Sequence, residues 1–182
     1  GPHDIGIMGG SEQEYTRYDW TKGYRINFLN NDLWELNAGS PDGQQASGSA
    51  YEIALRSFFG RLSYIYDNRY LLEVNIRRDG TSRIAQSTRW GNFPSFSAAW
   101  RISNEEFMKG LTSLSNMKLR VGYGETGNQD IGNNSYQNLL KKGYEYVFGN
   151  SPVTTIIPGN AGNPLLMWET AKQFNVGLDM GF

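Results

Sequence analysis

The chain has 182 residues, 17 lysines and arginines against 18 aspartates and glutamates, a single histidine and no cysteine. That balance excludes charge-driven nucleic-acid binding, and the missing thiols exclude a disulfide framework. Aromatic residues make up 14% and charged residues only 19%, and no run approaches the roughly 18 apolar residues of a membrane-spanning helix, so a helical anchor is excluded while spanning by alternating strands stays open.

In chain order, Ile5, Ile7 and Gly9 alternate with Asp4, Gly6, Met8 and Gly10 in a weak first strand that is expected to continue toward Tyr18. Residues 19–55 are then read as a long loop. From Phe58 to Tyr66 the period is two: Phe58, Gly60, Leu62, Tyr64 and Tyr66 share one face, and Phe59, Arg61, Ser63 and Ile65 the other. Asp67-Asn68 supplies a tight turn, since both residues tolerate positive φ. The returning strand sets Tyr70, Leu72, Val74 and Ile76 against Leu71, Glu73, Asn75, Arg77 and Asp79, a hairpin with one apolar and one polar face.

A second long loop is predicted over 80–92. Pro94, Phe96, Ala98, Trp100 and Ile102 then form the apolar face of another strand, with proline at its start where a missing donor is tolerated. Ser103-Asn104-Glu105-Glu106 has the spacing of a capping box, predicting one helical turn through Lys109, stopped at Gly110. Met117, Leu119, Val121 and Tyr123 give the next strand. Residues 125–165 are rich in Gly, Asn and Pro and read mostly as a third long loop, with residual alternation at Tyr144, Tyr146 and Phe148. The last strand runs from about Trp168 to Phe182, its apolar half unbroken from Phe174 through Val176, Leu178 and Met180.

Six strands joined by alternately long and short connections fit the all-β antiparallel barrels of outer membranes, whose short turns gather at one end and long loops at the other. Tyr64, Tyr66, Tyr70, Trp100, Tyr123 and Trp168 near strand ends would be interfacial girdles. A soluble carbohydrate-binding β-sandwich remains the alternative, because a buried sheet face produces the same alternation.

Several ordered motifs resemble those of the SusC/RagA-type TonB-dependent outer-membrane transporters. They are Phe59-Gly60-Arg61-Leu62-Ser63-Tyr64, Asp67-Asn68-Arg69-Tyr70, Arg77-Arg78-Asp79-Gly80-Thr81-Ser82-Arg83, Trp90-Gly91-Asn92-Phe93-Pro94-Ser95, Leu119-Arg120-Val121-Gly122-Tyr123-Gly124-Glu125-Thr126-Gly127-Asn128-Gln129, and Trp168-Glu169-Thr170 followed by Asn175-Val176-Gly177-Leu178-Asp179. The match covers most of 56–182 and is loose before it. The resemblance implies import of oligosaccharides or peptides across the outer membrane, a SusD-like surface lipoprotein as lid, and energy from the TonB system through an N-terminal part not in this chain. Barrels of that type have about 22 strands around a plug, so residues 1–182 are expected to be a partial β-barrel domain in contact with outer-membrane lipid. A passive porin, which lacks the plug, is set aside only by the resemblance.

Other chemistry finds little support. Gly122-Tyr123-Gly124-Glu125-Thr126-Gly127 matches the dinucleotide fingerprint literally, but no helix pattern follows to receive a pyrophosphate. With His3 alone and no thiol, zinc clusters and Ser-His or Cys-His pairs cannot be assembled, so no enzyme activity, catalytic residue, metal ligand or cofactor is expected. Asp130 with Asn128, Asn133 and Asn134 is read as a polar loop rather than a calcium site. Ligand recognition is the more productive reading. Tyr18, Trp20, Tyr24 and Trp34 lie among Arg, Asp and Asn residues in the densest aromatic and polar mixture of the chain, which suits sugar rings and equally suits packing against the rim or a lid. Arg77, Asp79 and Arg83 are expected either to touch substrate or plug from the lumen or to pair with one another as wall structure.

Overall fold

A computed structural model describes residues 1–110 and 113–182, with Tyr144 described by its backbone alone, so the expected place of its side chain lies outside the described residues. These residues form strands β1 (His3–Ile26), β2 (Ser40–Tyr66), β3 (Tyr70–Thr81), β4 (Trp90–Arg101), β5 (Asn116–Asn128), β6 (Leu140–Phe148), β7 (Ser151–Pro158) and β8 (Glu169–Gly181). One six-stranded sheet has the order β1-β2-β3-β4-β5-β8, and β6-β7 is a separate two-stranded ribbon. The chain divides into two compact units, residues 1–14 with 54–182 and residues 15–53.

In the first unit the hairpin turn forms as its sequence predicts. Asp67 and Asn68 adopt φ of 47° and 54°, the sign a type I′ turn needs at both central positions, and Arg69 N–H donates to Tyr66 O at 2.9 Å. With the turn fixed, register follows. Tyr66 pairs Tyr70 and Leu62 pairs Val74; Val74 pairs Phe96; Phe96 pairs Tyr123; Tyr123 pairs Phe174. One apolar row therefore crosses five strands. One residue along, Ser63, Glu73, Ser97, Gly122 and Asn175 form the matching polar row, because a period of two sends neighbours to opposite faces.

The apolar row is not a buried core. Val74, Ile76 and Phe174 are 52%, 56% and 67% exposed, and the buried hydrophobic residues are Ile84, Ala85 and Phe93. Ile84 and Ala85 lie on the 82–89 connection and Phe93 near the start of β4, all toward the loop end of the sheet. The Phe93 ring meets Trp168 edge-on at 5.3 Å and lies where Cβ atoms on Gly91 and Gly127 would stand, so the absence of side chains there makes its seat. Thr88 Oγ1 donates to Leu166 O at 2.6 Å and Trp168 Nε1 to Arg89 O at 2.8 Å, tying the 82–89 connection to the segment before β8.

The strands reach further than the pattern implied. Of the expected loop 19–55, only 27–39 lies between β1 and β2, and it includes a short 3-10 turn at Leu36–Ala38. Segments such as Pro41-Asp42-Gly43-Gln44-Gln45 are exposed on both faces; their pairing rests on backbone bonds, which leave no hydrophobic period to read. Of 80–92, β3 takes the start and β4 the end, leaving 82–89. Within 125–165, β5 continues to Asn128 and β6 and β7 pair with a bulge between Lys142 and Tyr144, where Gly143 has φ of 101°, the backbone geometry that favours glycine in bulges. The capping box does not form. Residues Ile102–Asn104 and Glu106–Met108 are separate 3-10 turns without side-chain caps; Glu105 pairs with Arg69 instead and Glu106 most closely with Lys109, at 2.6 Å.

Candidate functional site

On the polar face of the sheet unit, β3 alternation places Arg77 and Asp79 side by side. Arg77 Nε donates to Asp79 Oδ1 and Oδ2 at 2.8 and 3.0 Å, and Nη2 donates to Glu12 Oε2 and Ser57 Oγ, both at 3.0 Å. The guanidinium also sits 5.8 Å from the centre of the Phe59 ring. Three strands thus supply one arginine with partners: Glu12 from β1, Ser57 and Phe59 from β2, and Asp79 from β3. Beside this network an open cavity of about 360 Å³ is lined by Asn75, Arg77, Asp79, Phe93, Ser95 and parts of Glu125–Gly127. A bonded arginine of this kind stiffens the wall and still presents charge to whatever occupies the cavity.

Arg83 does not join that network. It lies on the 82–89 connection, where Nη1 donates to Gln129 O, Asp130 Oδ1 and Ile131 O at 3.5, 3.1 and 3.3 Å. The carboxylate of Asp130 is therefore already matched to a cation. Asp130 N–H meanwhile donates to Asn128 Oδ1 at 2.8 Å, so the oxygen-rich stretch turns upon itself.

The aromatic residues singled out from sequence belong to the other unit. Tyr18, Trp20 and Tyr24 occupy alternate positions of β1 and share a face; the Tyr18 ring stacks on Tyr51 at 5.1 Å. Lys22, Tyr24, Gln45 and Ser47 line a shallow pocket of about 320 Å³. Trp34 stands apart on the connection and is 85% exposed. Arg25 closes the base of that connection, Nη1 donating to Gly39 O at 3.2 Å and Nη2 to Gln44 Oε1 at 3.1 Å. Three of the four aromatics are thus brought to one strand face and Trp34 is not.

Sequence reading missed two polar-face clusters, because both depend on register across strands. Asp179 on β8 accepts from Arg120 Nη2 at 2.7 Å and lies 3.3 Å from Lys118 Nζ. Arg61 Nε donates to Asn75 Oδ1 at 2.9 Å, and Asn75 Nδ2 to Glu73 Oε1 at 2.9 Å. The literal nucleotide fingerprint, Gly122–Gly127, lies wholly inside β5; no helix N-terminus follows it to hold a phosphate.

Among the described residues no second sheet covers the apolar face. An antiparallel sheet that keeps an apolar face uncovered over five strands, with a polar face behind it and its tightest turn at one end, is a segment of transmembrane β-barrel wall; only a closed barrel or a helix satisfies backbone groups in lipid. The chain belongs to the TonB dependent receptor-like, beta-barrel family, whose model matches residues 2–182. It is 38% identical to the TonB-dependent receptor SusC of Bacteroides thetaiotaomicron over 100% of this chain and 18% of that protein. It is 35% identical to the TonB-dependent receptor P39 of Formosa agariphila over 96% of this chain and 16% of that protein. In structure it matches the RagAB peptide transporter with a TM-score of 0.87 and 30% identity, over 99% of this chain and 20% of that one. The chain thus spans under a fifth of the length of these two relatives. It is SusC-like barrel wall, and the β-sandwich alternative gives way: the ladders from Tyr70 to Ile76 and from Phe174 to Met180 stand uncovered.

Proposed function

We propose that this wall belongs to an outer-membrane importer that takes up oligosaccharides or peptides, driven by TonB through a part of the protein outside this chain and covered by a SusD-like surface lipoprotein. The observation that carries the reading is the alternation held in register across five strands, apolar residues on one face and polar residues on the other; in this reading the first meets lipid and the second the lumen. Similarity to SusC and to the RagAB peptide transporter supports it and leaves both substrate classes open. In this reading Tyr18, Trp20, Tyr24 and Trp34 offer ring faces to substrate or lid. Arg77 and Asp79 border the lumen as one hydrogen-bonded unit, and Arg83 holds the 129–131 segment in the mouth.

The test uses the full-length parent cleared of other cysteines, with single cysteines at Ile76, Leu178, Arg77 and Asp179. A membrane-confined maleimide is expected to label the first two and spare the others. Protection of all four overturns the wall reading. For the aromatic residues, alanine at Trp20, Tyr24 and Trp34 is expected to weaken retention of an oligosaccharide or peptide mixture while the barrel keeps its heat-modifiable mobility; unchanged retention of both removes these residues from the ligand surface.

A further inference from the structure

The lipid-facing side of the wall carries an unmatched pair of arginines. Alternation along β2 and β3 puts Arg56, Phe58 and Arg78 on the same face as Leu62, Val74 and Ile76, and Trp90 of β4 joins them through its pairing with Gly80. The four side chains are layered. Arg56 lies 5.0 Å from the Phe58 ring centre, Phe58 stacks on Trp90 at 6.1 Å, and Arg78 lies 5.2 Å from the Trp90 ring centre. Gly80 makes the arrangement possible: a Cβ there would come within 2.8 Å of the indole, so only glycine lets the ring lie against the strand.

Two further observations give the cluster a direction. It lies beyond Ile76, at the end of the strands opposite the 67–69 turn, and barrels of this kind keep short turns toward the periplasm. It therefore sits at the outer-leaflet boundary, where side chains meet lipid headgroups. Two other cations near the strand ends are matched by carboxylates of the protein itself. Lys172 on the same face pairs with Glu125 at 3.5 Å, and Arg69 at the turn end pairs with Asp67 and Glu105, each at 3.1 Å. Neither Arg56 nor Arg78 makes an ion pair among the described residues. Their partners are ring faces, and a contact through a ring leaves the in-plane N–H fork available to an anion.

We infer that Arg56 and Arg78, held by Phe58 and Trp90, form a binding site for the phosphate of an anionic outer-leaflet lipid on the outside of the barrel. The site rests on the barrel-wall reading. Two guanidinium forks match phosphate oxygens, and the rings supply the amphipathic platform that interfacial aromatics provide. Such a lipid would bind whatever the transporter carries, since the cluster is on the face turned away from the lumen.

The experiment takes the full-length parent, purified in detergent and incubated with diphosphoryl lipid A, and reads bound lipid by native mass spectrometry. R56Q/R78Q is expected to retain at least about tenfold less lipid, the order of effect for removing two interfacial arginines, whereas K172Q retains as much as the unaltered protein. The R56K/R78K variant keeps the charge, loses the fork and is expected to fall between them; it also serves if the glutamine variant does not insert. Equal retention by all variants overturns the site. So does displacement of the lipid by millimolar inorganic phosphate, which would make it a general anion site. Labelling of a cysteine at Ile76 by the membrane-confined probe, measured on the same protein, separates failure of this site from failure of the wall reading.

Discussion

The hydroxyl of Tyr70 donates to Glu105 Oε1 at 2.7 Å, joining the first residue of a membrane strand to the connection that follows the next strand. Trp100 Nε1 donates to the same oxygen at 2.9 Å, and Arg69 Nη1 to Oε2 at 3.1 Å. The Tyr70 and Trp100 rings are stacked at 6.4 Å, with Tyr66 continuing the row at 6.3 Å. Glu105 thus pins the turn-side aromatic girdle from outside the strands, and these contacts, the Tyr70 hydrogen bond foremost, hold its carboxyl below the ordinary glutamate range. A carboxylate whose folded pKa is depressed stabilises fully above its unfolded value of about 4.3, and that contribution is lost as pH falls through the lower folded value. Glu105→Gln is expected to lower the unfolding temperature of the reconstituted parent by a few degrees at neutral pH. The difference should close on acidification, and thermal melts from roughly pH 3 to 7 check it.

Val74 and Asn75 are neighbours on opposite faces, which makes them a direct measure of the sheet's polarity. Val74→Lys puts a charge in the apolar row and is expected to cost about 2–4 kcal/mol in unfolding from lipid vesicles. Asn75→Lys lies on the polar face, and after allowance for its lost bonds to Arg61 and Glu73 its cost is expected to stay near 1 kcal/mol or below. Equal costs would contradict the assignment of faces.

The turn at 67–69 sets the register of the β2–β3 hairpin. Asn68 has φ of 54°, its side chain receives Arg101, and its carbonyl accepts from Asn104 Nδ2 at 3.1 Å. Asn68→Val forces a β-branched residue into the left-handed region and is expected to cost about 2 kcal/mol. Asn68→Gly keeps the backbone freedom and loses only the contact to Arg101, so its cost is smaller. Refolding yield into vesicles for the two variants checks the order.

Phe93 is only 7% exposed, on the face that carries Arg77 and Asp79. Phe93→Ala is expected to cost roughly 3 kcal/mol, the lower end for a buried aromatic because glycines around it leave room to collapse. Amide exchange should rise first in 82–89 and around Trp168, which Phe93 and the Thr88 and Trp168 hydrogen bonds hold together. Uniform acceleration across the sheet instead would place Phe93 in the global core.

Strand identity and the division of faces were legible wherever the alternation is sustained. Tyr70 to Ile76 and Phe174 to Met180 read as apolar ladders because their environment selects every second residue, and Asp67-Asn68 announced its turn because few residues accept positive φ. The strand portions of β1 and β2 between 19 and 55 were illegible for the converse reason: both faces are exposed and backbone pairing leaves no period. The capping box failed because Glu106 pairs with Lys109 three residues on, while Glu105 is held by Arg69, distant in sequence and adjacent only through the hairpin. Sequence by itself therefore determined the class of wall and which residues share its apolar face. Only the tertiary structure decided which charges meet across strands, joining Arg77 to Glu12 and Ser57, Asp179 to Arg120, and leaving Arg56 and Arg78 to ring faces, because such pairings depend on register, and register is a property of strands side by side rather than of any one of them.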